Sequence, residues 1–409
     1  MRRTILAVSV SLGLSPTAAF AVDWSVTSSV SESVEANDNQ FLRAVPGASI
    51  GSYTAMTANA EGRTPTSRFN FDGDGTYKKY WGPGTEGIPQ TEFLNYGFKG
   101  RYESLEKNSP DKEFVEASWR QQSTALALLS DLGVATTAAG FLDTLAINGG
   151  IDRSLTAWDS VSLSAGSTRT SYEPSSGGIP FTDTNASGTW RHRLNSLSTL
   201  SGSSSAEILN FDNQFNSEVT ILRNTVGIDA NLSQLLSFRG TVGPAYVQTE
   251  RGIVTTGGRT LPISGAVTDW IGDAVLTYKM LKNTTLTLTA SQAIGPSVVG
   301  SLFKTDTVAV GLAYTINTRS TLSFAASATR QISTSTTDFV SASATYSYQL
   351  AREWTAQVTY RYLHRFATNG TVIFDPITGT PTVSGLGPVS SNSVLIVVSR
   401  NFTVLAPHQ

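Results

Sequence analysis

Ser393-Val394-Leu395-Ile396-Val397-Val398-Ser399-Arg400-Asn401-Phe402 is the last strand-like run of a 409-residue chain. It follows a loop rich in Gly, Pro, Ser and Thr, contains neither Pro nor Gly, and ends on an aromatic ring. A β-branched run of this length reads as a strand. A buried strand closing a soluble domain would look the same, so its meaning comes from what precedes it. Upstream, one motif recurs: a strand of roughly a dozen residues with alternating faces, then a turn or loop. If those strands form one closed sheet, this run pairs with the first, near Trp24.

The alternation is plain along the chain. Trp24, Val26, Ser28 and Val30 share one face, with Ser25, Thr27 and Ser29 on the other. Leu94, Tyr96, Phe98 and Tyr102 oppose Asn95, Lys99, Arg101 and Glu103. Trp190 and Leu194 oppose Arg191 and Arg193, and Val226, Ile228 and Ala230 oppose Arg223, Thr225 and Asp229. The last third is the most regular: Val308, Val310, Leu312, Tyr314 and Ile316 form an apolar row. So do Val340, Ala342, Ala344, Tyr346, Tyr348 and Leu350, against Ser341, Ser343, Thr345, Ser347 and Gln349. Period-two patterning of this kind gives a sheet with one apolar and one polar face.

About 18 such runs can be counted, with 16 as the other even number within reach. Short connections fall at Thr64-Pro65-Thr66, Ala157-Trp158-Asp159, Leu197-Ser198, Lys282-Asn283-Thr284, Thr318-Arg319-Ser320 and Ala351-Arg352-Glu353. Between them lie longer stretches, read as loops: Asp74–Gln90, Ala125–Gly140, Tyr172–Thr182, Glu250–Ile263 and Ala367–Val389. An even number of antiparallel strands with short turns at one end and long loops at the other is the layout of a transmembrane barrel. The fold class expected is therefore all-β: a single antiparallel up-and-down transmembrane barrel, with both termini on the short-turn side. An open sheet of this size would leave two raw edges, and unpaired backbone is too costly in lipid. A soluble alternative needs a second layer, and no sustained amphipathic helix is present to supply one. A self-covering sandwich or β-helix does not account for the alternating connection lengths.

Composition fits the same picture. Charged residues make up 15 % of the chain, against about 25 % in an average soluble domain. The formal net charge is −2 and there is no cysteine. Nothing here recruits nucleic acid, and packing and hydrogen bonding must hold the fold without disulfides. Met1-Arg2-Arg3, the apolar Thr4–Leu14 and Ala19-Phe20-Ala21 read as a secretory signal cleaved after Ala21. Residues 22–402 are then the barrel and 403–409 a short periplasmic tail. Trp24, Tyr102, Trp158, Trp190, Tyr278, Tyr348, Trp354 and Phe402 fall near short-turn ends, and Tyr53, Tyr246, Trp270 and Tyr362 near long-loop ends. Two such sets match interfacial aromatic girdles.

By parity, the inner wall carries Arg68, Lys99, Arg101, Arg120, Arg191, Arg193, Arg223, Arg239, Lys279 and Arg361. It also carries Asp72, Glu103, Glu116, Asp152, Glu207, Asp229, Asp269 and Asp273. Arg68, Arg101, Arg191, Arg193 and Lys279 lie toward the periplasmic mouth. The rest of the wall is mostly Ser and Thr, whose hydroxyls both donate and accept and suit a hydrated sugar chain passing without tight binding. Two expectations compete for the cations. In one they attract an anionic solute at the entrance; in the other they pair with wall carboxylates and keep the lumen wet.

Other motifs are weaker. Asp72-Gly73-Asp74-Gly75 opens like a calcium loop but lacks the later ligands, and a loop turn is the better reading. Asn37-Asp38-Asn39-Gln40-Phe41 and Asp212-Asn213-Gln214-Phe215 read as extracellular turns. His192 and His364 lie near opposite ends of their strands with no evident catalytic partner, so no enzyme, metal site or cofactor is expected.

The mature chain as a whole resembles the β-barrel porin 2 class of outer-membrane proteins. The signal, the opening Trp24 strand, the even strand count and the closing Val398-Ser399-Arg400-Asn401-Phe402 carry the resemblance. Seven further residues follow Phe402, which departs from the usual terminal aromatic. The resemblance implies a bacterial outer-membrane barrel surrounded by lipid and lipopolysaccharide, handled by the barrel-assembly machinery through strand 393–402. It also implies a conduit for exopolysaccharide beside a periplasmic polysaccharide export protein. No site residues carry over. A general diffusion porin and a structural or adhesive surface barrel are the other readings.

Overall fold

The computed structural model describes residues 22–405 except 87, 89, 106–110, 125–139, 174–177, 214–216, 256–258, 297–301, 333–335, 368–371, 375–380 and 384–386. In chain order the strands begin with β1 (Asp23–Asn37), β2 (Ser49–Arg63), β3 (Ser67–Trp81), β4 (Glu92–Leu105), β5 (Lys112–Ser123) and β6 (Phe141–Ser154). They continue with β7 (Asp159–Glu173), β8 (Phe181–Arg193), β9 (Ser198–Phe211), β10 (Glu218–Asn231), β11 (Leu236–Thr255) and β12 (Arg259–Leu281). Then come β13 (Thr284–Pro296), β14 (Leu302–Asn317), β15 (Ser320–Ile332), β16 (Thr336–Gln349) and β17 (Trp354–Arg365). Two short strands, β18 (Val372–Phe374) and β19 (Pro381–Val383), pair only with each other, and β20 (Val389–Leu405) ends the series.

Eighteen strands, all but β18 and β19, make one sheet. Each pairs antiparallel with its chain neighbour, and β20 pairs with both β17 and β1. The quoted terminal run therefore closes the cylinder, with Asn401 opposite Ser29, Val397 opposite Ser33 and Ser393 opposite Asn37. The pairing continues past Phe402 to Leu405, which lies opposite Val26. Closure removes both sheet edges, so the ladder satisfies the backbone all the way round.

Directly paired residues share a face, and the faces follow the alternation in the sequence. Ile396 lies between Val34 and Val358, and Val310 between Leu288 and Ala326. These form an exposed apolar exterior: Val226, Val242 and Val308 are 60 %, 57 % and 63 % exposed. In water such a continuous surface would be a liability, and in lipid it is the solvated face. Trp24, Trp190, Tyr278 and Trp354 ring its short-turn end.

The short-turn end is set by local chemistry. In the turns 155–158, 194–197 and 232–235, a small polar side chain at the second position caps the backbone. Thr156 Oγ1 accepts from the Trp158 and Asp159 amides, Asn195 Oδ1 from Leu197, and Ser233 Oγ from Leu235 and Leu236. These are turns closed by a side chain standing in for a backbone acceptor.

Three of the stretches read as long loops differ. Asp74–Gln90 is strand as far as Trp81, paired to β2 from Thr57↔Asp74 to Ile50↔Trp81. Gly, Asp and Lys disfavour strand, but here they lie on a strand whose other face is apolar, and the ladder overrides propensity. Glu250–Ile263 is mostly an extension of β11 and β12, which stay paired to Thr255↔Arg259. Ala367–Val389 contains the β18–β19 hairpin. The Ala125–Gly140 stretch lies outside the described residues but for its last residue, as does the signal segment but for none of its positions.

Candidate functional site: the barrel lumen

The ten cations assigned to the inner wall all fall on the face opposite the apolar rows. Arg68 pairs with Glu103, Arg101 with Glu116, Arg239 with Asp229, and Arg361 with Ser343 and Ser393. They do not form one ring. Arg101 Nε donates to Glu103 at 2.8 Å and its Nη1 to Glu116 at 3.2 Å, while Lys99 Nζ reaches Glu116 at 2.9 Å. The Arg101 guanidinium also stacks 4.2 Å from the centre of the Phe114 ring. Arg120 binds Asp74 at 2.6 Å, Arg68 binds Glu61, and Arg223 binds Glu207. Asp72 accepts from Asn59 at 2.5 Å and from Asn70 at 2.7 Å. The wall of β2–β6 is thus charged but internally compensated.

The other five are different. Among the described residues, Arg191, Arg193, Arg239, Lys279 and Arg361 have no carboxylate within ion-pair distance. Arg191 donates instead to Ser162 Oγ at 2.8 Å. Arg193, Arg239 and Lys279 each stand within four residues of a short-turn end, on β8, β11 and β12. This sector of the short-turn mouth therefore carries four such cations against Asp229, the cross-strand partner of Arg239, a net positive charge, whereas Arg361 stands on β17 within electrostatic reach of Lys78.

Diametrically across from the charged wall, β13–β16 present hydroxyls, bordered by Asp269 and Asp273 of β12. Thr307 Oγ1 lies 3.3 Å from Thr329 Oγ1, and Ser327 Oγ lies 2.7 Å from Ser341 Oγ. Nearby on β16 and β17, Thr345 and Thr359 are 3.1 Å apart. These side chains satisfy one another and keep spare donors and acceptors for water.

The long-loop half of the lumen is partly filled. The β1–β2 connection turns inward and buries Asn39, Phe41 and Leu42. Phe41, Tyr53, Tyr80 and Phe93 make one apolar cluster, with ring centres 5.6 to 5.8 Å apart. Asn39 ties the connection down: its Oδ1 accepts from the Arg43 amide, and its Nδ2 donates to the Arg43 and Ser390 carbonyls. Asp38 accepts twice from Asn392, both at 2.7 Å. Leu42 is held at φ 50°, a left-handed conformation that a branched side chain adopts at a cost. Beneath it the Tyr53 hydroxyl donates to Glu35, both buried. A second cluster joins Ile179, Leu209, Phe211, Val219, Ile221 and Val247. Ile294 and Leu302, at the tip of the β13–β14 hairpin, pack on it, and Arg223 donates to the Ile294 carbonyl at 3.0 Å. Since β10 and β13 are not neighbours in the sheet, that tip leans over the lumen.

Several residues are therefore placed differently from their sequence reading. Tyr53 is a buried lumen residue, not part of the outer girdle, because its position shares the face of Glu35 and Asn37. Asp72-Gly73-Asp74-Gly75 is a strand segment whose carboxylates face the lumen, not a loop turn. The histidines have partners: His192 Nδ1 lies 2.9 Å from Asp159, and His364 Nδ1 lies 2.8 Å from Ser390 Oγ. Both sit on the outer face at opposite ends of the barrel. Glu61, Asp74 and Glu35 escaped notice as wall residues, although extending the alternation of their strands by one or two steps assigns them.

No protein-family model matches the chain, and no curated protein matches it. Solved structures do. The FrpB iron transporter from Neisseria meningitidis superposes with a TM-score of 0.50 at 8 % identity, over 93 % of this chain and 81 % of that one. The ferric-catecholate import receptor Fiu from E. coli K12, in its open form, gives 0.50 and 8 %, over 93 % and 82 %. At such low identity the likeness is one of fold: a large closed membrane-type barrel.

Proposed function

We propose that this chain is a channel of a bacterial outer membrane, with its short turns in the periplasm and its long loops outside. One observation carries the reading: a closed 18-stranded cylinder with an apolar exterior and a lumen lined by charge and hydroxyl. Barrels of this size have room for an aqueous path. Arg191, Arg193, Arg239 and Lys279 give its periplasmic entrance a net positive sector, which favours anions. The hydroxyl wall of β13–β16 suits a hydrated sugar chain, and we take an extracellular polysaccharide moving outward as the cargo. A general diffusion porin is the second reading, favoured by the inward β1–β2 connection, since porins narrow their lumen with an inward loop.

Planar-bilayer recordings test the channel. The purified barrel should conduct, with anions preferred. Replacing Arg191, Arg193 and Lys279 together by neutral residues should move the reversal potential toward cations. Unchanged selectivity would remove the entrance sector. Deleting the gene separates the cargoes: loss of capsule or biofilm polymer with normal small-solute uptake supports export, and the reverse supports the porin.

A further inference from the structure

The filling of the long-loop half is one-sided. Lumen-side residues in that half are buried on most strands: Glu35 and Tyr53 on β1 and β2, Tyr80 and Phe93 on β3 and β4, Leu142 on β6. The same holds for Tyr172 on β7, for Leu209, Ile221 and Val247 on β9 to β11, and for Arg365 and Ser391 on β17 and β20. On β8, Phe181 packs against the second cluster. From β12 to β16 no described lumen-side residue in that half is buried. A side chain on the inner wall of a barrel this wide loses its exposure only when something inside the cylinder covers it.

We infer that the path through the extracellular half of the channel is eccentric, running along β13–β16 and selected by a patch of hydroxyls: Ser291, Thr307, Ser327, Thr329 and Ser341. Ser291, Thr307 and Thr329 stand side by side in one row, and Ser327 and Ser341 in the next. All five are half-exposed, and no lysine, arginine or carboxylate shares these two rows between β13 and β16. The inference rests on the channel reading and refines it. The anion-attracting sector at the periplasmic mouth and the neutral hydroxyl patch lie at different levels, so they act in series. Charge recruits the solute, and the patch decides what passes. A hydroxyl wall exchanges hydrogen bonds with water or with sugar hydroxyls at little cost, and offers nothing to hold a bare ion. The class of solute it fits is a polyhydroxylated chain or small sugar.

The chain has no cysteine, so single introduced thiols report cleanly. Thr307→Cys and Ser327→Cys probe the patch, and Ser391→Cys probes a buried lumen-side position on the covered side. Two measurements are made on each folded barrel: labelling by a polyethylene-glycol maleimide, read as a gel shift, and single-channel current before and after a charged methanethiosulfonate reagent. Both patch thiols should label, and their modification should lower conductance by about twofold, as expected at a constriction. Ser391→Cys should neither label nor block. Labelling at Ser391→Cys equal to the patch, or protection of the patch thiols, overturns the eccentric path. Labelling of the patch with unaltered current overturns its role in passage. A wild-type barrel that carries no current, while the Thr307→Cys and Ser327→Cys barrels label, leaves the open sector standing and removes the channel reading instead.

Discussion

Arg101 and Glu116 show how a residue's position can be legible while its role is not. Alternation puts both on the polar face, because Arg101 adjoins Tyr102 and Glu116 adjoins Val115 on the other. Only the register of β4 against β5 sets them opposite each other and brings Lys99 to the same carboxylate. Exposed pairs of this kind contribute little stability, about 0–1 kcal/mol. Their effect is on the field in the lumen. Glu116→Gln should free part of the charge on Lys99 and Arg101 and raise the anion preference, read as a shift of reversal potential under a salt gradient. The shift should be opposite in sign to that of the triple neutralisation at the mouth. No shift would mean that these cations are already screened from the permeating ion. Asn39 and Leu42 are the contrary case. In sequence they look like an exposed turn, and nothing local signals that the turn folds inward.

At the scale of one strand, β20 tests the two-faced wall directly. Ile396 is 51 % exposed and lies between Val34 and Val358, whereas Val397 lies between Ser33 and Gln357. Placing arginine at a lipid-facing site near the bilayer midplane costs about 2–4 kcal/mol. Ile396→Arg should lose that much in denaturant titrations of the barrel folded in lipid vesicles, and Val397→Arg, one residue on, much less. Equal costs would refute the assignment of faces. The same two-faced logic explains why β3 was partly hidden. Asp72 and Asp74 are poor strand formers, yet on the lumen side they stay hydrated or hydrogen-bonded, and the ladder to β2 and β4 carries them.

For the whole molecule, stability comes from closure. Without β20, β1 and β17 each present an unpaired edge to the bilayer, where every lost backbone hydrogen bond costs several kcal/mol. The full chain should therefore migrate as a compact band on SDS gels run cold and shift on boiling. A chain truncated before Val389 should give only the unfolded position. If the truncated chain keeps the compact band, the β20–β1 seam is not what holds the cylinder.

The sequence by itself determined the wall: which residues face lipid, which face the lumen, how many strands there are within two, and that the last run meets the first. These follow from a period of two and from the lengths of the connections, both local properties of the chain. Tertiary structure alone decided which cations are neutralised, that the β1–β2 connection and the β13–β14 tip occupy the lumen, and that one hydroxyl sector is left open. Those features depend on register between strands and on contacts across the cylinder, such as that of Arg223 with the Ile294 carbonyl. Alternation along a strand carries no information about what fills the space it encloses.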